Sequence, residues 1–186
     1  MRCCKYIVAV AVIALLGIWG YFVYDINDAY PSPEEKCYSI NEEFEYYGLN
    51  IKGKSIELYE YEEFAEGYDK CEESLIYDEN KEDYLYVVVT LHITNMTGHD
   101  ILVNGNPVYA WMIETGIDAN GIDEILLEVV NFSEDIFHGD FEGDIELPFK
   151  IPEYLTEGKS KEDILKEGVK VIVSYYPYKE YISFKK

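Results

Sequence analysis

The 186 residues carry 15 basic and 37 acidic side chains, for a formal charge of −22, together with 19 tyrosines. Such a balance excludes a nucleic-acid surface, because phosphates need basic patches, and it favours cations or basic partners. Setting aside an apolar start leaves about 160 residues, enough for one domain with one sizeable core and no second.

From Tyr6 to Tyr24 the chain runs nineteen residues without a charge. A helix rises about 1.5 Å per residue, so this run just crosses the roughly 30 Å of bilayer hydrocarbon. Arg2 and Lys5 precede it and Asp25, Asp28, Glu34 and Glu35 follow it. That asymmetry predicts residues 1–5 in the cytoplasm, a retained anchor over 6–24 and the remainder outside the cell. Trp19, Tyr21, Phe22 and Tyr24 gather at the outer end, where amphipathic rings favour headgroups. A cleaved signal peptide is the rival, but no small-residue cleavage triplet follows the bulky Tyr21-Phe22-Val23-Tyr24. Beyond residue 24 lie 13 basic against 37 acidic residues, a formal charge of −24.

Residues 25–38 read as a stalk, stiffened by Tyr30-Pro31-Ser32-Pro33. Ser32-Pro33-Glu34-Glu35 also resembles a capping box, with Cys37, Ile40, Phe44 and Tyr47 following at helical spacing. Cys37 and Cys71 are the two cysteines beyond the apolar run, and in an oxidising space an even pair is expected to be bridged. The bridge would close a loop of about 34 residues and contribute roughly 3 to 4 kcal/mol. Cys3 and Cys4 are expected to be free thiols.

Lys54 to Tyr61 places Ile56 and Leu58 on one side of a strand, and Tyr84 to Asn95 aligns Leu85, Val87, Val89, Leu91 and Ile93 at a period of two. Val108 to Glu114, Val169 to Tyr176 and Tyr178 to Phe184 repeat the pattern. Asn104-Gly105-Asn106-Pro107 is a turn sequence, and Asp118-Ala119-Asn120-Gly121 is a hairpin tip. One short helix is predicted from Ser160 to Glu167, stopped by Gly168. Short alternating strands separated by turns predict an all-β sandwich or barrel.

Ser39-Ile40-Asn41-Glu42-Glu43-Phe44-Glu45-Tyr46-Tyr47-Gly48-Leu49-Asn50-Ile51, then Ser55-Ile56-Glu57-Leu58, then Tyr86 to Asn95 resemble a known pattern. The pattern is that of immunoglobulin-like (telokin-like) extracytoplasmic domains of unknown function on Gram-positive lipoproteins and membrane-anchored surface proteins. Asn41 stands where those domains usually carry glycine. The resemblance covers residues 38 to 185 and implies an antiparallel immunoglobulin-like β-sandwich over 39–186, with strand rather than helix beyond Ile40. It implies no catalytic residue and no cofactor.

His92, His99 and His138 form no metal-ligand spacing, and no nucleophile elbow, P-loop or dinucleotide fingerprint occurs. Asp140, Glu142, Asp144 and Glu146 alternate along an extended segment that follows Asp135 and His138. Hard oxygens in a row suit calcium, while charges on a strand also protect an edge. Asn95-Met96-Thr97 and Asn131-Phe132-Ser133 match the glycosylation acceptor pattern. The sequence thus predicts a single-pass cell-membrane protein whose outer part is a binding or accessory module, with no catalytic, cofactor or metal residue assigned. Its expected partners are the bilayer, through the N-terminal helix, and a protein or cell-wall ligand of basic character. The alternative is a cation-stabilised surface domain using the acids from Asp135 to Glu146.

Overall fold

In a computed structural model, residues 2–101, 107–116, 119–130, 132 and 138–185 are described, with the backbone alone at 2–5, 7–11 and 107. The chain divides into two units, Met1–Glu34 and Glu35–Lys186. The first is the helix α1, Arg2–Ala29, whose described side chains are all exposed. It is longer than the predicted 6–24. Its described stretch from Val12 onward ends in Asp25, Asn27 and Asp28, which dilute the apolar run. Among the described residues no helix is long and apolar enough to cross a membrane.

The second unit is a β-sandwich. A five-stranded sheet has the order β1-β9-β8-β5-β6 and a four-stranded sheet the order β2-β3-β4-β7. The strands are β1 Glu34–Ser39, β2 Glu43–Tyr46, β3 Leu49–Tyr59, β4 Tyr84–Asn95, β5 Met112–Glu114, β6 Ala119–Gly121, β7 Glu142–Pro152, β8 Val169–Ser174 and β9 Tyr178–Phe184. Leu85, Val87, Val89, Leu91 and Ile93 of β4 meet Val169, Val171 and Val173 of β8 and Ile182 and Phe184 of β9 between the sheets. At Gly53 a Cβ would come within 2.7 Å of Ile182, so glycine permits this close approach. Asn41 sits at φ 67°, in the left-handed region that glycine and asparagine tolerate best.

A second apolar cluster lies on the outer side of the four-stranded sheet. The helices α2 Tyr61–Gly67, α3 Cys71–Ser74 and α4 Glu124–Val129 place Phe64, Cys71, Leu75, Leu126, Val129 and Val130 over Tyr86 and Val88 of β4. The Phe64 and Tyr86 rings stack with centroids 4.7 Å apart. Both faces of β4 are therefore dry over its first half, while the polar residues Thr90, His92 and Thr94 are half-buried.

Several expectations are corrected. α5, Lys161–Glu167, is the predicted short helix, with Ser160 accepting from the Asp163 amide, but α2, α3 and α4 join it. The predicted strand to Tyr61 stops at Tyr59, because Glu60 caps α2 in a reciprocal box with Glu63. Residues Pro107–Ala110 form a 3-10 turn before β5 instead of strand. The expected hairpin tip at 118–121 is β6 from Ala119 onward, paired with β5; Asp118 lies outside the described residues, as does most of the turn at 104–107. β1 takes Glu34–Ser39 from the segment read as stalk or helix, since its edge pairing and the packing of Tyr38 on Phe44 outweigh the cap. Cys37 and Cys71 are free thiols, not a disulfide. Cys37 is exposed on the five-stranded sheet and Cys71 is buried under the helical layer beyond the other sheet, so two sheets about 10 Å apart separate them.

Candidate functional site

Of the predicted calcium row, Glu142, Asp144 and Glu146 fall on β7, while Asp140 lies exposed in the turn before it. Asp144 lies 2.7 Å from Lys54 Nζ and 2.7 Å from His92 Nδ1, with Glu142 3.9 Å from His92 Nε2. Those two partners, Lys54 first, hold the Asp144 carboxyl below the usual range. Glu146 accepts from the Tyr68 hydroxyl at 3.2 Å. Asp135 lies outside the described residues. Among the described residues no three His, Cys, Asp or Glu side chains converge as metal ligands. The row is a cross-strand ion-pair ladder: Glu43 reaches Lys52, which neighbours His92, which faces Asp144.

The other histidines are structural as well. His138 Nδ1 is 3.4 Å from Asp100, and the His99 carbonyl accepts from Asn95 and Thr97. Asn95 is buried; its amide also donates to the His138 carbonyl, and its oxygen accepts from Thr97 N and Oγ1. The first glycosylation pattern is therefore consumed by a turn. Asn131 and Ser133 of the second lie outside the described residues.

Sequence reasoning did not find Lys150. Its side chain, 10% exposed, leaves β7 on the helical side and places Nζ 3.1 Å from Asp78 and 3.2 Å from Asp123. Its ammonium also lies 5.3 Å from the Tyr84 ring centre and 5.8 Å from that of Tyr86. Asp123 is the N-cap of α4 and accepts from Ile125 N and Leu126 N. The Tyr86 hydroxyl donates to the Lys81 carbonyl at 2.7 Å, and burial pushes its ionisation up. One cation thus ties the turn after α3 and the cap of α4 to two strands. The carbonyls of Pro148 and Lys150 accept from Asp123 N and Asn120 Nδ2, and Ile122 bridges Phe149, so this half of β7 has its free edge covered.

Beside Lys150, at the end of the sheet where β4 begins and β7 stops, lies a groove of about 660 Å³. A 3-10 turn at Lys81–Asp83 and another at Glu153–Thr156 form its walls. Asn80, Asp83, Tyr84, Glu153, Tyr154, Thr156 and Gly158 line it. Tyr154 is 79% exposed, and the carboxylates of Asp83 and Glu153 have no side-chain partner among the described residues. A single signal in the sequence marks it, the Asn80-Lys81-Glu82-Asp83-Tyr84 entry to β4 and the matching Pro152-Glu153-Tyr154 exit from β7, which the register brings together through Tyr84 and Pro152.

A family model described as a domain of unknown function, DUF5028, matches residues 24–180. The chain belongs to the DUF5028 family. No curated protein matches this DUF5028 chain. Among solved structures it is similar to an uncharacterised β-sandwich protein from Clostridium difficile 630, at 13% identity and a TM-score of 0.44 over 82% of this chain and 97% of that one.

On the other side of the DUF5028 sandwich the five-stranded sheet carries a ladder of charges, while the described helices α2, α3 and α4 cover the four-stranded sheet. Glu114 of β5 meets Lys179 at 2.7 Å and Lys170 at 3.2 Å. Partial burial works to raise the Glu114 carboxyl, and the two ammonium groups outweigh it and hold it low. The Tyr181 hydroxyl donates to Glu35, and burial, helped by Cys37 and Glu35, pushes its ionisation up to about 12. Here Glu114, Lys170 and Lys179 answer one another, whereas Asp83 and Glu153 at the groove have no charged partner among the described residues.

Proposed function

We propose that the chain is a non-catalytic, extracytoplasmic binding or accessory module, held at a membrane by its N-terminal helix and displaying an immunoglobulin-like (telokin-like) sandwich of the kind found on Gram-positive surface proteins. The observation that supports the attachment is the exposure of α1. Ile13, Leu15, Leu16, Ile18, Trp19 and Phe22 lie bare to solvent on several sides of the helix. Apolar surface left in water costs about 25 cal/mol per Å², and a lipid environment removes that cost. The crossing segment in this reading is the uncharged Tyr6–Tyr24, with Asp25 and Asp28 at its outer boundary. The sandwich supports the second half of the proposal: it has its own core, and among the described residues no three His, Cys, Asp or Glu side chains gather as metal ligands.

Fractionation of cells expressing the full chain, followed by protease treatment of the intact cells, tests this. The chain is expected in the membrane fraction with its sandwich degraded from outside. Recovery in the soluble fraction, or a sandwich protected until lysis, would refute the attachment or the topology respectively.

A further inference from the structure

We propose that the groove between the 3-10 turns at Lys81–Asp83 and Glu153–Thr156 binds a primary alkyl-ammonium group, supplied by a lysine side chain of an extended peptide or by a linear polyamine. The inference deepens the reading of the chain as a binding module and rests on that reading, but not on membrane attachment.

Three features argue for this chemistry. Asp83 and Glu153 belong to the two turns that wall the groove, and among the described residues no cation is paired to them and no lysine or arginine lines it. Some carboxylates of the same sandwich are neutralised, as Asp144 is by Lys54 and Glu114 by Lys170 and Lys179. The aromatic wall open to a cation is Tyr154, whose ring is 79% exposed, while Tyr84 beside it already carries the ammonium of Lys150 at 5.3 Å. The alkyl stem of a lysine would lie along these rings while its head reaches the acids, the division of labour that amphipathic side chains favour. The surroundings reinforce the preference. Glu79, Glu82 and Glu157, each next in sequence to a lining residue, are exposed, and the whole chain is at −22, so the approach of a cation is steered rather than opposed. Gly158, at φ 75°, leaves the lip open, with nothing within 4 Å of where its Cβ would be. A neutral or anionic ligand would leave Asp83 and Glu153 uncompensated as it displaced their water.

Calorimetric titration of the full chain at low ionic strength tests the site, with spermidine, with N-acetyl-tetralysine amide and with the same peptide acetylated on its side chains. Saturable one-to-one binding of at least one amine is expected, with none by the acetylated peptide. The tighter of the two amines identifies the source. Asp83→Asn with Glu153→Gln is expected to weaken binding at least tenfold, and Tyr154→Ala, which leaves the charge intact, at least threefold. Glu62→Gln with Glu66→Gln removes the same charge from exposed positions on α2 and is expected to change affinity less than twofold. Absence of saturable binding by both amines, or an equal loss in the two charge-matched doubles, would overturn the proposal. Neither result bears on where the chain fractionates, so this failure is separable from that of the attachment.

Discussion

Lys150 and Asp78 are 72 residues apart in sequence and 3.1 Å apart in space. With Asp123 on its other side, Lys150 is the one described cation that joins the helical layer to the four-stranded sheet through two carboxylates. Replacing it by methionine keeps the stem and deletes the charge, leaving two partly buried acids facing each other. The cost lies between that of an exposed pair and that of a fully buried one, about 2 kcal/mol. Urea unfolding of Lys150→Met at pH 7 is expected to show that loss, and an unchanged midpoint would mean that the layer is held without this ion pair.

Phe64 is fully buried and stacked on Tyr86. Phe64→Ala would open a cavity between α2 and β4, with an expected loss of about 3 to 5 kcal/mol. Against a typical domain stability of about 5 to 15 kcal/mol that is a large fraction. Thermal melting is expected to fall by many degrees in this variant. A shift as small as that of an exposed substitution such as Tyr77→Ala would show that the helical layer contributes little.

The two sandwich thiols differ in access. In a Cys3→Ser, Cys4→Ser background, Cys37 is expected to react quickly with an aromatic disulfide reagent and Cys71 only after denaturant is added, because Cys71 has no solvent exposure and burial raises its thiol. Non-reducing and reducing electrophoresis are expected to give the same mobility. A shift on reduction would indicate the cross-link that the separation of Cys37 from Cys71 forbids.

Glu114 predicts an acid-side dependence. Lys179 and Lys170 depress its folded-state ionisation below its unfolded value, so its contribution is complete above the unfolded value near 4.3 and is lost as pH falls through the lower folded one. Between pH 6 and pH 3 the native chain is therefore expected to lose more stability than Glu114→Gln, measured by urea midpoints at each pH. Parallel curves for the two would remove Glu114 from the account of acid unfolding.

The parts of the fold that were legible in the sequence are those where one period governs the pattern. In Tyr84–Asn95 an unbroken apolar side recurs at a period of two, and both that run and Tyr178–Phe184 are strands over those same residues. Ser160 supplies a side-chain cap and Gly168 a stop, and α5 fills the interval. The helical layer was hidden because each of its pieces is too short to show a period: α2 buries a single Phe64, and α3 is four residues long. Tyr86 and Val88 carried the missing hint. They are large and apolar on the side of β4 opposite Leu85, Val87 and Val89, and an apolar residue there needs a cover. The cysteine pairing failed for a different reason, since spacing along the chain does not reveal which side of a sandwich each thiol occupies. Lys150 and the groove were illegible because no spacing along the chain reveals the register that sets Tyr84 opposite Pro152 and Tyr86 opposite Lys150.

The cover on β7 has a wider consequence. A peripheral strand of eleven residues is an invitation to polymerise, because another chain can zip onto its unpaired amides. Asn120, Ile122 and Asp123 close that seam over Pro148 to Lys150, and two prolines within the strand lack the donors a growing fibril would need. Copies crowded side by side can thus remain separate molecules even at high local density.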